Sequence, residues 1–225
     1  KPAGTLRSGE VATLTFTVSE AVGSGAGALT SAEVLVTGGT ITGFGLGPGS
    51  NQYTATFTPA ANSTTTALIG VGASAVTDTV GNPNAATPLV SLAVDTVAPT
   101  VSVSSSVTAL NATSTALISI TLSEASTDFS AQDVGLNNLG ALTSFGGDGS
   151  GRNYTAVFTP TPGVSQSGSL TINAGVFSDA AGNTNTSGAS QSLTIDALAP
   201  TVSVVVDKPA GTLRSGEVAT LTFTV

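Results

Sequence analysis

Acidic side chains are scarce in this chain, and nearly half of them fall at three recurring positions. The 225 residues include 13 aspartates and glutamates, and the formal net charge is −8. Carboxylates that lie close together repel one another unless a cation neutralises them, and Ca²⁺ takes roughly six to eight hard oxygen ligands. The recurring acidic positions therefore predict structural calcium sites. They are Glu20, Asp78, Asp95, Glu124, Asp179 and Asp196.

Asparagines beside two of these aspartates offer amide oxygens as further ligands. One predicted site combines Asp95, Glu124 and Asp179 with Asn183 and, in the same loop, Asn185. The corresponding set earlier in the chain consists of Glu20, Asp78, Asn82 and Asn84. Its linker aspartate is expected just before residue 1. Asp196 opens a third set, whose other ligands are expected after residue 225. Asp128 and Asp133 are candidates for additional ligands.

A second interpretation of the same acids needs no metal. The aspartate of an Asp-Ala-Ala-Gly-Asn segment can cap a turn through its own side chain. A glutamate that follows a strand can simply be solvated. Both interpretations stay open from the sequence.

Composition excludes several other chemistries. The chain has no cysteine, histidine, methionine or tryptophan, which removes disulfides, thiolate or imidazole metal ligands, and catalysis that depends on His or Cys. Paired carboxylates can hydrolyse glycosides, but repeated domains without an aromatic platform argue against an enzyme. Five scattered basic residues form no patch for nucleic acid, and no apolar run reaches the roughly 18 residues of a membrane span.

Internal repeats define the organisation of the chain. Residues 53–59, 78–84 and 95 recur as 154–160, 179–185 and 196, always with a spacing of 101 residues. Residues 1–18 are identical to residues 208–225. We therefore expect a longer array, seen through a window that opens after the first strand of one domain and closes inside a third. The predicted domains are 1–94, lacking its first strand, 95–195, complete, and 196–225, the first two strands of a third repeat.

The elements that must position the acids are short strands. Residues 11–18 alternate between apolar and threonine side chains, as does the stretch 115–122, and this period of two indicates half-buried strands. About seven such runs occur in roughly 100 residues, separated by turn residues, without a helical period. The sequence thus predicts an all-β protein of tandem Ig-like antiparallel β-sandwiches, joined by short Asp-x-x-Ala-Pro linkers.

This topology makes a prediction about the acids. In a seven-stranded sandwich, the loop after the second strand and the loop before the last strand lie at the same pole as the incoming linker. Glu124, Asp179 and Asp95 occupy these three places. We expect them to meet where the first domain joins the second.

The motifs resemble a known family when taken together. Asp-x-x-Ala-Pro-Thr at 95–100, Tyr-Thr-Ala-x-Phe-Thr-Pro at 53–59 and 154–160, and Asp-x-x-Gly-Asn-x-Asn at 78–84 and 179–185 resemble the bacterial Ig-like repeats of giant secreted adhesins and biofilm-associated surface proteins. The resemblance covers essentially the whole chain. It implies export, often by a type I route, and an extended stalk stiffened by calcium between domains. That role would fall on Asp95, Glu124 and Asp179, and on Glu20 and Asp78.

Three functional hypotheses follow from these observations. The first is a calcium-rigidified stalk or fibre segment of an extracellular adhesin or biofilm matrix protein, with neighbouring repeats as its partners. The second is a binding module for glycan or protein, for which the loop 146–152, with Asp148 and Arg152, is the candidate. The third is assembly of chains head to tail, with residues 196–225 completing the first domain of a neighbour.

Overall fold

The computed structural model describes residues 4–207, 211 and 213–225. Within them, regular structure consists of 16 β-strands and three short 3-10 helices, at Gly25–Gly27, Ser31–Glu33 and Ala131–Asp133. The predicted all-β fold of tandem Ig-like sandwiches is confirmed. The first three residues of each copy of the repeated 18-residue segment, 1–3 and 208–210, are not described.

The first unit contains six strands. They are β1 (Ala12–Thr17), β2 (Val34–Val36), β3 (Gly39–Leu46), β4 (Gln52–Pro59), β5 (Ala67–Val71) and β6 (Val90–Leu92). They form two three-stranded sheets with the orders β1-β4-β3 and β2-β5-β6. Buried side chains between the sheets form two separate apolar clusters, one around Phe57 and one around Val76.

The second unit contains eight strands and a single continuous core. They are β7 (Val101–Ser105), β8 (Ala109–Asn111), β9 (Ala116–Leu122), β10 (Val134–Gly135), β11 (Gly140–Gly147), β12 (Asn153–Pro160), β13 (Ser165–Ile172) and β14 (Ala189–Asp196). Two four-stranded sheets, β11-β12-β9-β7 and β10-β13-β14-β8, face each other. Alternation along β9 directs Ile118, Ile120 and Leu122 into the core, where each is at most 1% exposed.

The strand β8 is a departure from the predicted seven strands. It pairs in parallel with β14, from Thr194–Ala109 to Asp196–Asn111. Only Leu110 of its three residues is buried, and three residues are too few to show a strand pattern in the sequence. In the first unit, an isolated parallel bridge between Leu6 and Val94 takes the corresponding place.

The chain continues into a small hairpin after the second unit. Its strands are β15 (Ser203–Val206) and β16 (Leu221–Thr224), which pair antiparallel. All eight of these residues are exposed.

Candidate metal centre

Three carboxylates from separate parts of the second unit meet at its junction with the first unit. Asp95 lies in the linker, Glu124 follows β9, and Asp179 lies in the loop between β13 and β14. One carboxylate oxygen from each lies within 4.8 Å of the others. Asp179 is buried and the other two are partly buried. This is the convergence that the sandwich topology predicts for these loops.

A tight turn holds the Asp179 carboxylate in place. Oδ1 accepts a hydrogen bond of 2.8 Å from the backbone N–H of Asn183, and Oδ2 accepts one of 2.8 Å from its side-chain amide. Gly182 closes the turn with a φ of 89°, in the left-handed region that glycine adopts without strain. Asp179 is therefore fixed in position by its own loop before any ion is considered.

The Asn183 side chain joins the turn to the linker and to the first unit. Its Nδ2 also donates to the backbone oxygen of Asp95 at 2.9 Å, and its Oδ1 accepts from the backbone N–H of Ser8 at 2.8 Å. Arg7 lies next to this contact and donates through Nη1 to the backbone oxygen of Gly182 at 2.7 Å. Both units therefore position the acidic cluster.

Like charges govern the electrostatics of the cluster. Burial, and then the nearby Asp95 and Asp179, raise the pKa of Glu124 above its ordinary value, while Arg152 opposes the shift. Arg152 is held beside Glu124 by hydrogen bonds to the backbone oxygens of Ser123 and Leu122. A bound cation would favour the ionised form of Glu124 and so oppose this shift.

The donor set suits a hard cation. Three carboxylates offer up to six oxygens, which is compatible with the coordination that Ca²⁺ prefers.

The asparagine of the turn, Asn183, has other partners in this structure. Asn183 turns its amide nitrogen towards the carboxylates and gives its oxygen to Ser8. Asn183 therefore positions the loop, and metal binding by Asn183 stays a prediction.

Asn185 is a structural residue that sequence reasoning did not recognise as such. It is 1% exposed, and its side chain makes four hydrogen bonds to the backbone of its loop. Oδ1 accepts from Val176 and Phe177, while Nδ2 donates to the oxygens of Asn173 and Ser187. The sequence signal for this role is the repeated second Asn of the Asp-x-x-Gly-Asn-x-Asn motif. Buried polar groups are hydrogen-bonded as a rule, so a buried amide at this position bonds the backbone of its loop.

Asp128 and Asp133, the suggested additional ligands, have local partners. Asp128 accepts from the Ser126 hydroxyl and from both the backbone and the hydroxyl of Ser178. It thus ties the loop after β9 to the loop before β14. Burial acts to raise the pKa of Asp128, but these hydrogen bonds together outweigh it and lower the pKa. Asp133 caps the 3-10 helix at Ala131–Asp133 by accepting from Ser130.

The corresponding acids of the first unit are arranged differently. Asp78 accepts from the backbone of Val80 and from both the backbone and the side chain of Asn82, and the Asn82 hydrogen bonds lower its pKa. Glu20 is exposed. Asn84 closes the loop by bonding Val76, Gly72 and Ala85. In the part of the chain that the structure describes, the only grouping of three acids is Asp95, Glu124 and Asp179.

Asp196 ends β14 with an exposed side chain. Its predicted partners are expected beyond residue 225, so its role stays a prediction. The same holds for metal binding by Glu20, Asp78 and Asn82. Over the described ranges, the chain forms no helix long and apolar enough to cross a membrane.

In the candidate binding loop 146–152, both charged side chains have hydrogen-bond partners, and those of Arg152 are the backbone oxygens of Ser123 and Leu122. The carboxylate of Asp148 accepts from the backbone and hydroxyl of Ser150 and from the Asn153 side chain, and these bonds lower its pKa to about 2. These contacts give the loop a turn-forming role, so it offers little support for ligand recognition.

Comparisons with known proteins identify the repeated unit. A family model described as a bacterial Ig-like domain matches residues 2–94 and 95–197. No curated protein sequence matches the chain. Among solved structures, the Escherichia coli adhesin FdeC is similar at 17% identity and a TM-score of 0.32, over 99% of this chain and 70% of that one. InvD of Yersinia pseudotuberculosis gives 20% identity and a TM-score of 0.32, over 92% of this chain and 60% of that one. Likeness at this level does not extend to function.

Proposed function

The chain belongs to the bacterial Ig-like domain family, and we propose that it is a stalk segment of a bacterial surface or secreted adhesin, stiffened by calcium at its domain junction. Its work is mechanical rather than catalytic, and its partners are neighbouring repeats and, in a fibre or biofilm matrix, other copies. It acts outside the cell.

The observation that carries this proposal is the position of the acidic cluster. Asp95 belongs to the connection between units, whereas Glu124 and Asp179 belong to the second unit. An ion bound to all three would tie the linker to the domain that follows it. It would also offset the burial and the repulsion from Asp95 and Asp179 that together raise the pKa of Glu124.

The hydrogen bonds between the two units next to the acidic cluster support a mechanical role. Arg7 and Ser8 of the first unit already contact the turn at Gly182 and Asn183, so the units meet at this loop without an ion. Two hydrogen bonds, one exposed and one partly buried, each contribute only about 1 kcal/mol. A divalent cation that neutralises the adjacent acids would favour the docked arrangement over a hinged one.

Calcium binding can be tested by titration calorimetry on the whole chain. We expect one ion per chain, with Ca²⁺ binding more tightly than Mg²⁺ because Mg²⁺ demands octahedral geometry and gives up water reluctantly. Asp95→Asn should abolish or strongly weaken binding, since it removes a charge from the cluster.

Asp196→Asn is the matched control. Asp196 occupies the equivalent linker position one repeat later, is exposed, and belongs to no group of three acids among the described residues. Binding should survive this change. Absence of calcium binding by the unmodified chain, or equal loss in both variants, would refute a junction site.

A further inference from the structure

A tight turn of the first unit, residues 7–10, is the corner that touches the second unit. The Glu10 N–H donates to the backbone oxygen of Arg7 at 3.1 Å, and the Arg7 N–H donates back to the Glu10 carboxylate at 3.2 Å. An ion pair of 3.5 Å joins their side chains, and Gly9 has a φ of 78°. The N–H of Ser8, in the second position of the turn, is the group that bonds Asn183.

This corner forms without a docked partner. Residues 214–217 repeat its sequence and its hydrogen bonds, from Glu217 to the oxygen of Arg214 at 3.0 Å and from Arg214 to the carboxylate of Glu217 at 2.9 Å. Gly216 has a φ of 86°. Ser215 is exposed, and within the described ranges no hydrogen bond joins this second corner to an Asp-x-x-Gly-Asn turn. The four residues therefore encode the corner themselves.

The amide of Asn183 receives the corner and is fully committed. A neutral side-chain amide has two N–H donors and one carbonyl oxygen. The nitrogen donates to Oδ2 of Asp179 at 2.8 Å and to the backbone oxygen of Asp95 at 2.9 Å. The oxygen accepts from Ser8 at 2.8 Å, and the side chain is buried. One amide thus joins the acidic loop, the linker and the first unit.

The first unit shows how the same turn behaves without a docked neighbour. Asn82 bonds Asp78 through its backbone N–H at 2.9 Å and through its side-chain nitrogen at 2.6 Å, yet Asn82 is exposed. The pairing of asparagine with aspartate therefore belongs to the turn itself. What the junction adds is the pair of bonds from Asn183 to Asp95 and Ser8.

We propose, on the basis of the calcium site proposed above, that the contact between Ser8 and Asn183 couples docking of the units to ion binding, so that the docked junction binds calcium more tightly than the separated one. In the docked state, Asn183 holds the backbone of Asp95 beside Asp179. The acids are then in place before the ion arrives, and less ordering opposes binding. When Ser8 withdraws, the amide can turn and Asp95 moves with the linker.

The coupling is reciprocal. If docking raises calcium affinity by a given factor, calcium favours docking by the same factor. Pulling the two units apart therefore lowers the calcium affinity of the site, and removal of calcium loosens the junction. The neighbouring unit thus regulates the same site that stiffens the stalk.

The test is Ser8→Pro, followed by calcium titration calorimetry on the whole chain. Proline suits the second position of a turn whose third residue has a positive φ, and it removes the N–H that bonds Asn183. All three acids remain, so one ion should still bind, with a Kd raised about fivefold or more. Ser215→Pro makes the same change in the second corner and should leave the Kd unchanged. Circular dichroism of the two variants in a chelator should be alike, because proline fits both turns.

A double-mutant cycle assigns the effect to Asn183. In an Asn183→Ala background, Ser8→Pro should cause no further loss of calcium affinity, because the amide that transmits it is gone. Equal affinity in the unmodified chain and Ser8→Pro, equal loss in the two proline variants, or the same loss in both backgrounds would overturn the coupling and leave the calcium site standing. Absence of calcium binding by the unmodified chain would refute the site and the coupling together.

Discussion

The two units contain the same Asp-x-x-Gly-Asn turn in different surroundings. Asp179 and Asn183 of the second unit are 6% and 4% exposed, because the linker and residues 7–8 of the first unit cover them. Asn82 of the first unit is exposed, and the Asp78 carboxylate accepts its hydrogen bonds from Val80 and Asn82 of its own turn. The motif therefore forms the turn by itself, but it becomes part of an acidic cluster only where another unit docks against it.

The apolar core is also less continuous in the first unit than in the second. The second unit has one continuous core, whereas the first has two clusters beside an open groove. The turn at residues 179–183 is thus completed by the neighbouring unit and the linker. Four changes test how far the two units differ.

The largest expected effect is the loss of stability when a phenylalanine is removed from either core. Phe57 and Phe158 are equivalent and fully buried, so Phe→Ala at either should cost about 3–5 kcal/mol. In urea unfolding of the whole chain, Phe57→Ala should shift the less stable transition, assigned to the first unit, and Phe158→Ala the more stable one. A single transition that both changes shift equally would show that the units unfold as one.

The second effect concerns the asparagine that closes each loop. Asn185→Ala leaves several buried backbone groups without partners and should destabilise the second unit by about 3 kcal/mol. Asn84→Ala should cost the first unit less, since Asn84 is only partly buried. Denaturant titrations of both variants measure the difference. An equal cost would mean that burial of the loop adds nothing.

The third effect concerns the glycine of each turn. Gly81 and Gly182 have φ values of 98° and 89°, so alanine at either is strained by about 1–2 kcal/mol. A Cβ at Gly182 would also lie 2.8 Å from Nη1 of Arg7, whereas one at Gly81 would meet nothing within 4 Å. Gly182→Ala should therefore additionally weaken docking of the units, seen as faster proteolysis of the linker. Equal cleavage of the two variants would count against the Arg7 contact.

The smallest effect is a dependence on pH. Because the pKa of Glu124 is raised, the native state binds its proton more tightly than the unfolded state does. Without calcium, the contribution of Glu124 to stability is most favourable below about pH 4.5 and declines as pH rises through its raised pKa. Glu124→Gln should flatten this slope in melting curves recorded against pH with a chelator present. In calcium, the same change should lower the melting temperature, since it removes a ligand.

Much of the fold was accessible from the sequence because it rests on local, repeated patterns. Alternation in residues 115–122 and the spacing of 101 residues between motifs are sufficient for tandem sandwiches. The meeting of Asp95, Glu124 and Asp179 follows from the order of loops at one pole of a sandwich. Each of these inferences depends on one unit and its incoming linker.

The remaining features depend on contacts that have no local pattern. The orientation of the Asn183 amide is set by Ser8, which is 175 residues away. The short strand β8 is defined by its parallel pairing with β14, and only one of its three residues is buried. The burial of Asn185 follows from the closure of its loop. Sequence types alone do not distinguish an amide that binds an ion from one that satisfies backbone groups.

The most direct test of the calcium-stiffened junction measures whether the two units move together. Nuclear spin relaxation of backbone amides gives a rotational correlation time for each unit. With calcium, the two units should tumble with one common correlation time, and with a chelator or with Asp95→Asn their values should fall and separate. Correlation times that are the same with and without calcium would contradict a stalk stiffened by the ion.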